Sequence, residues 1–254
     1  FGLRIEPGRI YGLLGRNGTG KSTLLYLASG LLRPKAGHVY VDGMEAQRRD
    51  PLMLSRMFIV PEEFELPEMS LQTYVNLVRP FYPRFSDEVL TDCLQAFDMA
   101  DAADLRQLSM GQKKKVYMSI ALAAGTEWLL MDEPTNGLDI PSKATFRQVV
   151  AKNLSDETTL VISTHQVHDV EQLIDHVVII DPSRLLCDAS VGEITSRFSF
   201  ETRQADEMTG DVLYAEPSLQ GNKVIVPHVE NEPETQLDLE MFFTAICKGD
   251  ITMK

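Results

Sequence analysis

Cysteine is scarce in this chain: Cys93, Cys187 and Cys247 are the three among 254 residues, odd in number and without metal-ligand spacing. That excludes a disulfide scaffold and a cysteine-built zinc site, leaving reduced, buried thiols as the expectation. Basic residues are also in deficit, 24 Lys and Arg against 37 Asp and Glu, for a net charge of −13. So acidic a chain is ill suited to gripping nucleic acid or anionic lipid directly, although docking on another protein stays open. No apolar stretch approaches membrane-spanning length, and no basic-then-apolar leader opens the sequence. The expectation is a soluble protein whose membrane role, if it has one, runs through a partner. Internal repeats and low-complexity tracts are missing too. An apolar fraction of 44% still supports a substantial core. The length suits one large α/β domain, alone or with a small appendage.

What is present is more specific. Residues 15–22 read GRNGTGKS, a match to G-x-x-x-x-G-K-[ST]. The apolar run 10–14 before it reads as a buried strand and residues 22–28 after it as a helix. In that setting Gly15, Gly18 and Gly20 let the backbone wrap a phosphate with its amides inward, and the helix start adds partial positive charge. Asn17 lies within this loop. Lys21 reaches the β- and γ-phosphates, the Ser22 hydroxyl ligates Mg²⁺, and Thr23 continues the nucleotide contacts. The pattern predicts binding of a nucleoside triphosphate.

A second feature is Trp128-Leu129-Leu130-Met131-Asp132-Glu133, an apolar strand that delivers two carboxylates at its C-terminal end. Ligands sit at that edge in open α/β sheets. Asp132 would hold Mg²⁺, usually through water, and Glu133 would orient and polarise the water that attacks the γ-phosphate. Taken alone, the pair would equally suit an acidic helix cap ended by Pro134. The third feature, Leu108-Ser109-Met110-Gly111-Gln112, opens a helix with a serine hydroxyl, unpaired amides and a permissive glycine. It is a second anion site, and one nucleotide has little need of two. Two chains arranged head to tail would use both. The plainer alternative is a serine-capped helix whose lysines, 113–115, are solvated.

Along the chain, strand and helix alternate up to about Val60, with a short strand at 38–41 bounded by Gly37 and Asp42-Gly43, and another at Met57–Val60. From about 66 to 124 the apolar spacing is helical. Strands return at 128–131, 159–163 and 177–180, continuous and apolar as in a parallel sheet covered on both faces. The helical stretch is thus an insertion in an α/β core. Beyond about Phe198 the composition turns polar, with short strands expected at 212–214 and 223–226. Residues 237–246 then read as a closing amphipathic helix with Leu237, Met241, Phe242 and Ala245 on one side.

GRNGTGKS, LSMGQ and LLMDEP in this order and spacing, with Asn136-Gly137-Leu138-Asp139 and with His165 after a strand, closely resemble the nucleotide-binding subunits of ATP-binding-cassette (ABC) transporters. The resemblance runs from residue 1 to about 195. It implies an α/β fold: a RecA-like P-loop NTPase core with a mainly parallel sheet, an inserted helical subdomain at about 66–124, and a small α+β C-terminal extension at 198–254. It implies ATP and Mg²⁺ as ligands, Glu133, His165 and Lys21 as catalytic residues, and Ser109, Gly111 and Gln112 as contacts to the ATP of an opposed cassette. Asp139 would couple the two sites. His165 would touch the γ-phosphate and hold the catalytic carboxylate and water. The resemblance further implies a second cassette, a copy or a different chain, and separate integral-membrane permease subunits that would receive the pair at the inner face of a bacterial membrane. The aromatic surface between Phe64 and Phe85 would meet them, with at most two or three of its side chains exposed. The helical insert with Phe81-Tyr82-Pro83, and the tail, look like the type-2 export branch. A soluble ABC ATPase acting on ribosomes or nucleic acid is the alternative, disfavoured by the acidity, the single cassette and the lack of a heptad array. A catalytically silent binding module is disfavoured by the presence of Lys21, Asp132, Glu133 and His165.

The sequence departs from the family in three places. Met110 replaces the first glycine of LSGGQ. The adenine-stacking aromatic lies upstream of anything present, and Phe1 is close to the phosphate loop for that role. After the strand at Met57–Val60, Glu62 stands where a glutamine ligates Mg²⁺. A carboxylate can still ligate the ion, yet it repels the γ-phosphate. Glu62→Gln is therefore expected to retain ATP hydrolysis with an altered metal dependence; unchanged Mg²⁺ and Mn²⁺ titrations would remove Glu62 from the metal site.

Overall fold

The structure, a computed structural model, describes residues 2–182 and 184–253; Phe1, weighed above as a stacking aromatic, lies outside them. In chain order the elements are β1 (Ile10–Leu14), α1 (Lys21–Ala28), β2 (Tyr40–Val41), β3 (Met44–Glu45), α2 (Pro51–Ser55), β4 (Met57–Val60), α3 (Leu71–Val78), α4 (Asp87–Ala96), α5 (Met110–Ala123), β5 (Trp128–Asp132), α6 (Ile140–Asn153), β6 (Thr159–Thr164), β7 (His176–Asp181), β8 (Arg184–Ser190), α7 (Val191–Thr195), β9 (Phe198–Arg203), β10 (Tyr214–Ser218), β11 (Gly221–Pro227) and α8 (Leu239–Lys248). They form two compact units. One holds Ile5–Ile10 and Lys21–Thr164; the other holds Tyr11–Gly20 and the chain from His165 onward.

In the first unit β4, β5 and β6 lie side by side in that order, all parallel. β6 is buried along its whole length, and so is β5 after Trp128, as strands covered on both faces must be. Helix α1 packs on β5 and β6. The helical insertion is α3 to α5, each helix started by a serine (Ser70, Ser86, Ser109) whose hydroxyl accepts the third backbone N–H beyond it. α4 packs along α5, whose second half is buried on every side.

In the second unit β1 runs parallel to β7, and β8 returns antiparallel beside β7. Beyond them β10, β11 and β9 form a separate antiparallel sheet in that order. Phe242 of α8 packs against Phe198 and Phe200 of β9, with ring centroids 6.2 and 6.5 Å away. Leu237, Met241, Phe242 and Ala245 are all buried, the apolar side that the sequence pattern marks.

Three local expectations shift. The strand foreseen at 38–41 shrinks to Tyr40–Val41, because Asp42 (φ +49°) and Gly43 (φ +77°) close a two-residue hairpin with β3. His38 stays outside it, its ring on the Glu45 carboxylate. The strand foreseen at 212–214 begins only at Tyr214, and the closing helix begins at Leu239, because Asp238 accepts the Met241 N–H as its cap. β8 and β9 are strands that the apolar runs do not announce.

α1 ends in a tight wrap: Leu31 and Leu32 N–H both donate to the Tyr26 carbonyl, with Gly30 at φ +70°. A Cβ on Gly30 would stand 2.2 Å from the Ala46 carbonyl oxygen. Gly30→Ala is expected to destabilise the protein by about 2 kcal/mol or more, read as a lowered midpoint in thermal or urea unfolding.

Candidate functional site

The glycine-rich turn follows buried β1. Gly15 is itself buried, and a Cβ there would lie 2.6 Å from Thr19 Oγ1 and 2.7 Å from the Ile180 carbonyl oxygen. Gly20 closes the turn at φ +102°, a conformation side chains rarely adopt. Thr19 fastens the turn inwardly, its N–H and Oγ1 both donating to the Arg16 carbonyl. Asn17 and Gly18 face solvent. α1 starts at the next residue, with Lys21 buried, Ser22 half-buried and Thr23 exposed.

The carboxylates stand at the end of β5. Asp132 is fully buried; its Oδ1 accepts from the Ser163 hydroxyl, which β6 presents in register beside it. Asp132 Oδ2 is buried with no hydrogen-bond partner among the described residues. Glu133 then leaves the strand at φ +44°, in the left-handed region that costs a non-glycine residue on the order of 1 kcal/mol or more. It is gripped at four atoms. Its N–H donates to the Ser163 carbonyl at 2.9 Å, and its own carbonyl accepts from Lys114 Nζ at 2.8 Å. Oε2 accepts from Thr164 Oγ1 at 3.0 Å, and Oε1 lies 3.7 Å from Lys21 Nζ.

Lys114, on α5, is 5% exposed. Its ammonium also donates to the Asn136 carbonyl at 3.0 Å, and Asn136 Nδ2 donates to Glu62 Oε1 at 2.9 Å. Burial pushes the Lys114 pKa down, against the Glu62, Glu133 and Asp132 carboxylates, which push it up. Tyr26 on α1 feels the same field: burial first, then Asp132, Glu62 and Glu63, raise its pKa.

The fold thus brings Lys21, Asp132, Glu133 and Glu62 into one network. Ser109, Gly111 and Gln112 form the start of α5 instead. Ser109 Oγ accepts the Gln112 N–H and Ser109 N–H donates to Gln112 Oε1, a closed capping box, with Met110 61% exposed beside it. Asp139 caps α6 by accepting the Ser142 N–H, and its pKa is held down first by that serine. His165 is exposed directly after β6, in the unit that also holds the glycine-rich turn.

Three further residues matter here that no motif marks. Ser163 and Thr164 are polar residues ending an apolar strand, Ser163 in register with Asp132 and Thr164 bonded to the Glu133 carboxylate, a signal visible once the strands are paired. Lys114 hides in a lysine run, yet it shares a helix face with Met118 and Ala121, both buried.

Among the described residues no group of three or more His, Cys, Asp or Glu could hold a metal by itself. The bare Oδ2 of Asp132 and the Ser22 hydroxyl are nevertheless hard oxygen donors of the kind Mg²⁺ accepts when phosphate oxygens complete its shell. The residues present fit that ion.

Turn, helix and paired carboxylates define a phosphate-loop nucleotide-binding protein. Residues 1–136 match the family model described as ABC transporter, and the chain belongs to that family as one of its nucleotide-binding subunits. It is 25% identical over 197 residues to the ABC transporter ATP-binding protein YtrB of Bacillus subtilis, covering 77% of this chain and 68% of that one. It is 29% identical over 219 residues to NatA of the same organism, covering 84% and 85%. A methionine import ATP-binding protein, MetN of Symbiobacterium thermophilum, is 35% identical over 210 residues; the match covers 77% of this chain but 62% of MetN. Among solved structures, an ATP-binding subunit of an ABC transporter superposes with a TM-score of 0.67 at 23% identity, over 74% of this chain and 81% of that one. The fold is accordingly the RecA-like phosphate-loop type.

Gly15→Ala should weaken binding of a fluorescent ATP analogue by about tenfold or more, because the turn must open to admit the methyl group. Equilibrium titration checks it.

Proposed function

We propose that the chain is the ATP-hydrolysing motor of an export-type ABC transporter, two cassettes closing head to tail around two ATP and driving separate membrane subunits. The observation that carries this reading is the Glu133 carboxylate held between Lys21 and Thr164, one residue from a buried Asp132 with a bare oxygen. The turn at Gly15, Asn17, Gly18 and Gly20 wraps the phosphates, with Lys21, Ser22 and Thr23 completing the grip. Ser22, Asp132 and Glu62 would hold Mg²⁺, which would supply neutralisation of phosphate charge. Glu133 orients the attacking water and takes its proton, and His165 steadies the γ-phosphate. Phosphoryl transfer leaves little covalent work to a protein, so positioning supplies most of the rate. Ser109, Gly111, Gln112 and Asp139 of the second cassette, identical or related, close the site.

Docking is assigned to a groove of about 470 Å³ whose lining includes Leu31, Leu54, Phe58, Phe81, Tyr82 and Tyr117. Of the aromatic and apolar residues between Phe64 and Phe85, Leu66 and Val75 are buried whereas Phe81 is 69% exposed, and Leu31 stands out beside it. A short apolar helix from a permease suits such a surface. The motor then works at the cytoplasmic face of a bacterial membrane, with residues 1–197 as the cassette and 198–254 as an accessory region. Export is favoured by relatives named for it, such as the Nod factor export ATP-binding protein I of Cupriavidus metallidurans. Nucleic acid is not expected as a partner, given the charge of −13.

With MgATP the wild-type chain should release phosphate, and Glu133→Gln should lower kcat by about 10²-fold or more while still binding ATP. A wild type without turnover, alone and with its co-purified membrane partner, overturns the motor reading; co-purification of ribosomes or DNA instead would point to the soluble alternative.

A further inference from the structure

We propose that Lys114 is a positioning residue for hydrolysis and the counter-ion that allows a carboxylate to stand at position 62. The geometry is independent of the ATPase reading; the kinetic consequence rests on it.

Three carboxylates, Glu62, Asp132 and Glu133, share one buried or half-buried network. Lys21 meets Glu133 at its carboxylate end. Lys114 meets the same residue at its backbone. Asn136 N–H donates to the Glu133 carbonyl at 3.1 Å, so residues 133–136 form one tight turn. The Lys114 ammonium donates to the carbonyls at both ends of that turn, 2.8 Å to Glu133 and 3.0 Å to Asn136. Two of its three protons are thereby committed. The turn in its own right holds Glu62 through the Asn136 amide.

Two consequences follow. Without the ammonium, the Asn136 carbonyl loses the Lys114 donor, the Glu133 carbonyl keeps the Asn136 N–H alone of the two, and Glu133, already at φ +44°, loses part of what holds it there. A carboxylate displaced by an ångström positions water poorly. Without the ammonium, too, Glu62 keeps its negative charge in a partly buried site with Asp132 and Glu133 while the Lys114 charge that opposed it is gone. Neutralising Glu62 removes that second penalty. The two positions are therefore coupled, and the coupling has a sign: loss of charge at 114 does less damage when charge at 62 is lost with it.

The test is a double-mutant cycle on the full chain with Lys114→Gln, Glu62→Gln and the pair. Steady-state MgATP hydrolysis and thermal unfolding without nucleotide are both measured. Lys114→Gln should lower kcat about tenfold with KM for ATP within about threefold, and lower the unfolding midpoint by about 4 °C or more. In the Glu62→Gln background the same Lys114→Gln change should lower kcat and midpoint by about half as much or less, because the lost carbonyl donation remains while the charge penalty does not. A Lys114→Gln loss of the same size in both backgrounds makes Lys114 a structural lysine and overturns the counter-ion role. A rise in KM with kcat intact overturns the positioning role. If the wild type hydrolyses no ATP, the motor reading fails while the melting cycle still decides the coupling.

Discussion

Two adjacent carboxylates buried at the end of one strand repel each other, and the rest of the site exists to hold them there. Asp132 and Glu133 cannot relax into water, since both are nearly inaccessible. They are instead compensated from three directions: hydroxyls of Ser163 and Thr164 from β6, the ammonium of Lys21 from α1, and the ammonium of Lys114 from α5. The donors come from three different elements, so the parallel register of β5 on β6, the packing of α1 on those strands and the burial of α5 are all prerequisites of one charge arrangement. That is why Lys21 and an acidic strand end, far apart in sequence, meet only on this fold.

The same arrangement explains what the departures from the family's motifs can tolerate. Met110 points outward from the first turn of α5, so its bulk meets solvent on the chain's own side. The glycine beside it is the tighter position, where a Cβ would come within 3.8 Å of the Gly137 carbonyl. Glu62 is not adrift either, for Asn136 binds it and thus ties its loop to the turn after Glu133.

Much of this was legible in the residues themselves. Continuous apolar runs at Met57–Val60, 128–131, 159–163 and 177–180 mark β4, β5, β6 and β7, because buried parallel strands need apolar side chains on both faces. The phosphate loop and the acidic strand end were readable because their chemistry demands particular residue types at particular spacings. β8 and β9 were not, since β8 has an apolar run of three residues, Leu185-Leu186-Cys187, and β9 alternates polar and apolar residues. Lys114 was obscured for a different reason. Its neighbours Lys113 and Lys115 give the segment the look of a solvated charge run, and burial of the middle lysine depends on α5 meeting the 133–136 turn, a tertiary fact with only a faint helical-face signal behind it.

The most direct test of the account is the state of the Glu133→Gln protein in saturating MgATP, followed by light scattering with the bound nucleotide analysed afterwards. The account predicts a dimer carrying two intact ATP molecules. A protein that stays monomeric, with or without its membrane partner, or a dimer that returns ADP at the wild-type rate, would contradict it.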